Sequence, residues 1–266
     1  MLPRTLFSSE HEMLRDSFRK FLQTEAVPHY EKWEKVGQVD KSIWKAAGEQ
    51  GYLAPLVSEE YGGLGLDFLY NVILTEEIGR LGLNGIGFPL HSDIVVPYLS
   101  RLGTEEQKQK YLPACVSGEI VTAIAMTEPG TGSDLQGIKT TAKKEGDDFV
   151  INGSKTFITN GQLADLVIVV AVTDPTAGAK GLSLILVEAN TPGFERGSSL
   201  AKIGMKSQDT SELFFNDVRV PQSNLLGPEG SGFAQLMAEL PQERLTIAVH
   251  CMAMCESVLA QTVEYV

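Results

Sequence analysis

Helical and strand-like patterns occupy separate stretches of this 266-residue chain. In residues 1–120, apolar side chains recur mostly at helical spacing, as Phe18 and Leu22 do. Residues 121–229 hold runs rich in Val, Ile, Thr and Phe between turns of Gly, Pro, Asn and Asp, which predicts short strands. The helical period returns over residues 230–266. This segregation predicts an α+β fold with an N-terminal helical domain, a middle β-sandwich or barrel domain and the start of a C-terminal helical bundle.

Capping and turn signals mark the individual elements. Helices are predicted over residues 9–24, 40–51, 67–80, 92–101 and 104–113, with capping boxes at Ser9–Glu12 and Thr104–Gln107 and with Asp40 as a cap. Strands are predicted over residues 121–127, 139–158, 166–172, 181–189 and 213–220. Asn152-Gly153 predicts a two-residue hairpin turn inside the second of these. The run at 166–172 is nearly all apolar, so both of its faces are expected to be buried.

Net charge and cysteine content indicate which partners and which cellular compartments to expect. The net charge of −12 leaves no basic face for a phosphate backbone, so we expect no nucleic-acid partner. Cys115, Cys251 and Cys255 cannot all pair, which favours a reducing compartment. Cys251 and Cys255 share a helix face without a third ligand nearby, so we expect core packing and no metal site. We expect no membrane span and a cytoplasmic location, or the mitochondrial matrix if a leader was removed.

A loop of small residues follows the first predicted strand. The run Ala123-Ile124-Ala125-Met126 passes into Thr127-Glu128-Pro129-Gly130-Thr131-Gly132-Ser133-Asp134. Glycines allow a backbone to approach a flat ring or a phosphate closely. The glycine spacing does not fit a dinucleotide-binding fingerprint, because Gly137 lies too far along and no helix opens there. Taken alone, the loop fits an ordinary turn slightly better than a binding site.

A second block of residues, taken together with the loop, forms a recognisable pattern. Asn152-Gly153-Ser154-Lys155-Thr156-Phe157-Ile158-Thr159-Asn160-Gly161 places an aromatic, an apolar and a hydroxyl side chain beside a turn. At their separation, the two blocks resemble the signature of the acyl-CoA dehydrogenase family. The resemblance runs from about Leu6 to the chain end. Leu240-Pro241-Gln242-Glu243-Arg244-Leu245 is similar to the long-chain branch of that family.

The resemblance implies an FAD enzyme that oxidises a fatty acyl-CoA, of medium to long chain, to the trans-2-enoyl-CoA. It places FAD against Ile124, Met126, Thr127, Gly132, Ser133, Phe157, Ile158 and Thr159. It places the CoA substrate against Ser133, Gln242 and Arg244. An acidic residue that helps to hold CoA elsewhere in the family is replaced here by Pro241. The resemblance further implies an electron-transfer flavoprotein as electron acceptor and a homotetramer for the full-length protein.

Glu243 is the candidate catalytic base. The spacing of Leu236, Leu240, Glu243 and Ile247 puts it on the apolar stripe of the last helix. Burial there would raise the pKa of the carboxyl toward that of a useful base. From the residues alone, a structural pair with Arg244 is the stronger interpretation. The family resemblance reverses that balance, because long-chain and isovaleryl members carry their base at this place.

Two neighbours complicate this assignment. Glu239, one turn earlier, is a rival that we expect to be a solvated or structural carboxylate. Pro241 predicts either a kink or the start of a new helix. In the second case Glu243 would lie in a first turn, where the helix dipole lowers its pKa.

Other functions stay open at this point. The family continues as a helical bundle that reaches the FAD of a neighbouring subunit, whereas this chain stops at Val266. We therefore expect a truncated chain that binds FAD poorly and assembles incompletely. An acyl-CoA oxidase or nitroalkane-oxidase-like flavoprotein shares the scaffold. A non-catalytic acyl-CoA- or flavin-binding paralogue and an α+β interaction protein are the alternatives outside catalysis.

Overall fold

Residues 5–266 are described by a computed structural model. Residues 1–4, on which the expectation about a leader rests, lie outside the described part. The described chain forms helices α1 (Ser9–Glu25), α2 (Val27–Val36), α3 (Ser42–Glu49), α4 (Phe68–Arg80), α5 (Val96–Leu102), α6 (Glu105–Val116) and α7 (Gly232–Tyr265). A π-helical segment, Leu90–Val95, leads directly into α5. The predicted order of helices, strands and helices is confirmed, and the fold is α+β.

The N-terminal helices form where they were predicted, with three corrections and one additional helix. The capping box of α1 is Ser8 with His11, and not Ser9 with Glu12. Asp40 does not cap α3, because its carboxylate accepts hydrogen bonds from the side chains of Trp33 and Lys32. Helix α6 has the predicted Thr104–Gln107 capping box but continues through Pro113 to Val116. Helix α2 was not predicted at all.

The middle region forms one hydrogen-bonded sheet within the described residues. Its strands are β1 (Thr122–Ala125), β2 (Thr141–Glu145), β3 (Asp148–Thr159), β4 (Leu166–Val172), β5 (Leu182–Glu188), β6 (Phe194–Ser199), β7 (Thr210–Pro221) and β8 (Leu225–Leu226). Their order is β6-β7-β3-β2-β4-β5-β8, with β1 parallel to β4. Strand β4 is buried on both faces, as predicted, because alternate side chains enter two different hydrophobic clusters.

The predicted hairpin turn at Asn152-Gly153 is wrong. Strand β3 runs unbroken through both residues, and its hairpin with β2 turns at Gly146-Asp147 instead. Gly153 has φ 152°, and a Cβ there would lie 2.4 Å from the hydroxyl oxygen of Thr140. The pairing of β3 with β7 shifts register at this point. Asn152-Gly153 therefore forms a β-bulge that bends a long strand rather than ending it.

Helix α7 packs against α4, the segment Leu90–Val95 and β5. Arg80 of α4 links two of these elements, since its guanidinium pairs with both Glu77 and Glu256. Pro241 lies inside α7 and does not start a new helix. Glu243 is therefore not in a first helical turn, and the helix dipole does not oppose the effect of burial on its pKa.

Candidate active site

The inner face of α7 carries two carboxyl groups. Its buried residues recur at steps of three and four, and they are Gly232, Leu236, Glu239, Glu243, Thr246 and Ala253. The predicted burial of Glu243 is confirmed, since only 7% of this residue is exposed. The predicted stripe was wrong at Ile247, which is 58% exposed. The true stripe passes through Glu239 and Thr246 instead.

Glu243 has one hydrogen-bond partner among the described residues. The hydroxyl of Tyr98, a fully buried residue of α5, donates to Glu243 Oε1 at 2.8 Å. Burial raises the pKa of Glu243 above its usual value, as does the nearby charge of Glu239, while Tyr98 and Arg244 act in the opposite direction. Oε2 has no partner in the described chain. A carboxylate with a raised pKa and one free oxygen is suited to accept a proton.

Glu239 is a structural carboxylate. Its two oxygens accept hydrogen bonds from Arg101 Nη1 of α5 at 2.7 and 2.5 Å. The residue is 4% exposed, so the solvated alternative is wrong and the structural one is confirmed. Tyr98 and Arg101 stand one turn apart on α5, opposite Glu243 and Glu239 on α7. The two helices are thus joined by two successive side-chain pairs.

The neighbours of Glu243 in sequence have different surroundings. Arg244 is exposed and forms no ion pair with Glu243 in the described chain, so the structural pairing of these two residues is not seen. Gln242 is half-buried, and its Nε2 donates to the backbone oxygen of Asp93 at 2.8 Å. Gln242 therefore ties α7 to the segment Leu90–Val95 close to the candidate base.

Asp93 is a buried carboxyl that the sequence analysis did not single out. Its oxygens accept hydrogen bonds from Asn71 Nδ2 at 2.5 Å and from Thr75 Oγ1 at 3.1 Å, both on α4. Burial raises the pKa of Asp93 to about 8, although these hydrogen bonds lower it. The carboxyl is therefore protonated at neutral pH, and it joins α4 to the segment that meets α7.

The two signature blocks lie side by side in the structure. Thr156 N donates to the backbone oxygen of Thr127 at 2.9 Å. Lys155, which is fully buried, donates to the backbone oxygen of Met126 at 3.1 Å and to Glu128 Oε1 at 2.9 Å. The Glu128 carboxylate also accepts the N–H groups of residues 139 and 140. A buried ion pair thus holds the end of β1 against β3.

The pKa values of this pair shift in the same direction for different reasons. Burial lowers the pKa of Lys155 to about 8, although the charge of Glu128 raises it. Burial raises the pKa of Glu128, but the charge of Lys155 and the hydrogen bonds outweigh that effect and hold the pKa below its usual value. Both groups are therefore charged at neutral pH. The sequence holds no clear signal for this pair, because Lys155 stands between the polar residues Ser154 and Thr156 in β3.

The residues assigned to FAD differ in exposure. Ile124 and Ile158 are buried, Met126, Thr127 and Thr159 are half-buried, and Gly132, Ser133 and Phe157 are exposed. Phe157 has φ 58° and is 66% exposed, which is a strained and solvated position for an aromatic side chain. A β-bulge between Lys155 and Ile158 places it there. An exposed aromatic ring held by a strained backbone is suited to cover a flat ligand.

The loop after β1 has open space above its glycines. A Cβ added to Gly130 or Gly132 would meet no atom within 4 Å. The N–H groups of Gly132 and Ser133 have no acceptor in the described part of the chain. Apolar side chains next to open backbone donors and hydroxyl groups suit a ligand with a flat ring and a phosphate. The residues present therefore fit FAD.

One hydrophobic cluster joins this loop to the helix of Glu243. The cluster contains Ile124 of β1, Tyr98 of α5 and Leu236 of α7, and Met126 packs against it. A cavity of about 240 Å³ borders α5, lined by Ala54, Leu56, Val57, Leu66, Ser92, Val96, Pro97, Ser100 and Arg101. The structure thus brings the first signature block, the candidate base and a largely apolar cavity together around α5.

Other sequence candidates do not form a site. Cys251 and Cys255 are exposed, so the prediction of core packing was wrong for both. No group of three or more His, Cys, Asp or Glu side chains in residues 5–266 is arranged to hold a metal. Helix α7 is long and apolar enough to cross a membrane by length and composition alone. Its inner face, however, packs against α4 and carries two buried carboxyl groups, as a packed protein helix does.

Comparisons with known proteins agree with these features. Residues 8–119 match the family described as acyl-CoA dehydrogenase, N-terminal domain, and residues 123–218 match acyl-CoA dehydrogenase, middle domain. The chain is 52% identical over 265 residues to the mitochondrial long-chain specific acyl-CoA dehydrogenase of Mus musculus. That alignment covers 99% of this chain and 62% of the mouse protein. The chain therefore spans less than two thirds of the length of this curated relative.

Two solved structures are similar over nearly the whole chain. An acyl-CoA dehydrogenase from Geobacillus kaustophilus superposes with a TM-score of 0.97 and 53% identity, over 99% of this chain and 70% of that one. An acyl-CoA dehydrogenase from Bacillus anthracis, solved as a complex with FAD, superposes with a TM-score of 0.87 and 35% identity. That match covers 95% of this chain and 43% of the Bacillus protein.

Proposed function

The chain belongs to the acyl-CoA dehydrogenase family, and from that premise we propose that it oxidises a fatty acyl-CoA to the trans-2-enoyl-CoA with FAD as cofactor. The observation that carries the proposal is the carboxyl of Glu243. It is buried on the inner face of α7, has a raised pKa and keeps one oxygen without a partner among residues 5–266. Burying a carboxylate without a countercharge is costly, and carboxyl groups held in this way are concentrated at functional sites.

Glu243 is the proposed catalytic base, and it removes the α-proton of the thioester. Oε1 is occupied by Tyr98, so Oε2 is the atom that takes the proton. The raised pKa makes the carboxylate a stronger base than an exposed glutamate. The apolar surroundings also exclude water, which strengthens any hydrogen bond to the developing enolate oxygen.

FAD would be held by the two signature blocks. Met126 and Thr127 would lie against the flavin ring, with Ile124 behind them, and Gly132 and Ser133 would reach the ribityl and phosphate part. Phe157, Ile158 and Thr159 would cover the other side of the cofactor. When bound, FAD supplies the acceptor for the β-hydrogen, which leaves as hydride to the flavin N5. The open backbone donors of the loop and the exposed ring of Phe157 support this arrangement.

The CoA part of the substrate would contact Ser133 and Arg244, which are both exposed. Gln242 uses its Nε2 to hold Asp93, so its side-chain oxygen is the atom left for a substrate contact. The acyl chain is proposed to be of medium to long length, since the cavity beside α5 is mostly apolar and the mouse relative is named as long-chain specific.

The proposed partners follow from the same premise. An electron-transfer flavoprotein is the proposed electron acceptor, in a fatty acid β-oxidation reaction, and the proposed assembly is a homotetramer. The three cysteines are all free, which fits a reducing compartment. The bacterial cytoplasm and the mitochondrial matrix both meet that condition.

Turnover with a dye acceptor tests the base assignment. We expect Glu243→Gln to lose activity by about 10²- to 10⁴-fold, because general-base catalysis contributes on that scale. Glu239→Gln is the matched control, since Glu239 lies one turn away on the same face and is paired with Arg101. It should keep most of the activity. Full activity in Glu243→Gln, or its loss in Glu239→Gln alone, would contradict the assignment.

A further inference from the structure

The hydroxyl of Tyr98 is directed at the carboxylate of Glu243. Tyr98 is fully buried on α5, and the one hydrogen bond of its hydroxyl in the described chain is to Glu243 Oε1 at 2.8 Å. A buried phenol normally needs one partner, and here the partner is the proposed base. The carboxylate would otherwise be free to turn about its side chain, since no second group in the described chain holds it.

This bond fixes which carboxylate oxygen faces the substrate. With Oε1 bound to Tyr98, the carboxylate plane is set and Oε2 is presented as the proton acceptor. The next pair along the same two helices, Arg101 with Glu239, limits sliding of α5 against α7. The donor and the carboxylate therefore stand on two helices whose mutual position is fixed.

We propose that Tyr98 is a positioning residue for the base, which holds Glu243 by its Oε1 and tunes the proton affinity of the carboxylate. This inference rests on the proposed function of Glu243. A hydrogen bond from a neutral donor stabilises the ionised carboxylate, so its removal should make the carboxylate bind a proton more tightly.

Other charged groups near α7 are accounted for. Burial, the charge of Glu239 and the charge of Arg244 act on Glu243 besides Tyr98. The further ionisable groups on α7 or on the elements packed against it are Tyr70, Glu76, Glu77, Arg80, His91, Asp93, Arg101, Lys180, Glu188, His250, Cys251, Cys255, Glu256, Glu264 and Tyr265. None of these groups is changed by a Tyr98→Phe substitution, which removes only the hydroxyl. A change in the pH profile can therefore be assigned to the lost hydrogen bond.

The test compares the pH dependence of kcat/KM in the holoenzyme with Tyr98 and with Tyr98→Phe. We expect the acidic limb to move to higher pH by about one unit, the size of one hydrogen bond to a charged group. Tyr111→Phe is the matched control, because Tyr111 is also buried and donates to a glutamate, Glu188, at 2.9 Å. Its acidic limb should stay in place.

A second readout does not depend on turnover. The protonated carboxyl band of Glu243 can be titrated by infrared difference spectroscopy, with Glu243→Gln as the reference that lacks it. We expect the same upward shift in Tyr98→Phe and none in Tyr111→Phe. A uniform loss of activity at every pH, with an unmoved carboxyl titration, would overturn the proposal and leave Tyr98 as packing only.

The Glu243→Gln and Tyr98→Phe variants distinguish the role of Glu243 from the role of Tyr98. If Glu243→Gln keeps its turnover, the proposed base is wrong, whatever Tyr98 does. If Glu243→Gln is inactive but Tyr98→Phe has an unshifted acidic limb, the base assignment stands and only the role of Tyr98 is overturned.

Discussion

Three buried carboxyl groups meet on or beside the inner face of α7, and each has a different partner. Glu239 is neutralised by Arg101, Glu243 accepts one hydrogen bond from Tyr98, and Asp93 is held by the neutral side chains of Asn71 and Thr75. The partner of each carboxyl group determines whether that group can accept a proton. Only the carboxyl of Glu243 has both a raised pKa and a free oxygen.

Asp93 gives a stability prediction that is independent of the cofactor. Its pKa rises from 3.8 in the unfolded chain to about 8 in the folded one, because of burial. The folded state therefore retains a proton that the unfolded state has lost, and the stability of the protein falls as the pH rises from about 4 to about 8. Asp93→Asn has the same shape and lacks this proton.

The free energy of unfolding in urea, measured at pH 5 and pH 7, tests this charge state. The free energy of unfolding of the unsubstituted protein should fall with rising pH, whereas that of Asp93→Asn should not. We therefore expect the difference between them to change in favour of Asp93→Asn by about 1.4 kcal/mol for each pH unit in that window. Asp40→Asn is a suitable comparison, because Asp40 is exposed and its pKa is lowered by the hydrogen bond from Trp33 and by other contacts. A difference between Asp93→Asn and the unsubstituted protein that stays constant with pH would show that Asp93 is ionised in the fold.

Strand β3 contributes both to the sheet and to the candidate cofactor site. Its bulge at Gly153 bends the strand, and its second bulge turns Phe157 outward. Between the two bulges, the Lys155 side chain points inward. Its ammonium donates hydrogen bonds to Glu128 Oε1, to the backbone oxygen of Met126 and, at 2.7 Å, to the backbone oxygen of Val170. The signature loop is thus fixed by a side chain of the neighbouring strand.

Removal of the Lys155 ammonium should loosen this loop. Lys155→Met leaves the Glu128 carboxylate buried without its countercharge, which costs about 3–5 kcal/mol in comparable buried pairs. Lys144→Met is the matched control, because Lys144 pairs with Glu229 at the surface, where an ion pair contributes about 0–1 kcal/mol. Urea unfolding and the amount of FAD retained after gel filtration measure the two effects. Equal losses in both variants would contradict a special role for Lys155.

Sequence periodicity predicted the elements better than it predicted the contacts between them. Strand β4 and helix α4 were correct because their patterns are local and strongly apolar. The hairpin turn at Asn152-Gly153 was wrong, because a bulge and a turn use the same residues and only the partner strand distinguishes them. The burial of Glu239 could not be predicted from its own helix, because Arg101, which makes that burial possible, lies on another helix.

The partner of Glu243 could not have been predicted from sequence spacing. Tyr98 lies 145 positions earlier, and nothing local to either residue indicates the pair. Burial of Glu243 was predictable because its place on the helix is a local property. That one oxygen of Glu243 has no partner could not be predicted, since this depends on which hydrogen-bond donors the neighbouring helix α5 carries.

The whole chain places the sheet that carries the proposed cofactor-binding blocks beside the helix face that carries the proposed base. The sheet supplies the two signature blocks, α7 supplies Glu243, and α5 borders the apolar cavity. The outer face of α7 is also apolar, with Leu245, Ile247 and Leu259 at least half exposed. Family membership explains the arrangement of the described parts, and this chain covers 62% of the length of the mouse relative.

The most direct test of the central claim is an anaerobic visible spectrum of the holoenzyme, titrated with saturated acyl-CoAs of increasing length. We predict that the flavin band bleaches, and that medium or long chains bleach it best. Glu243→Gln should bind the same acyl-CoAs and keep its flavin band. A flavin that stays oxidised with every acyl-CoA, or that bleaches equally in Glu243→Gln, would contradict the claim. The first of these results would favour a non-catalytic acyl-CoA-binding paralogue.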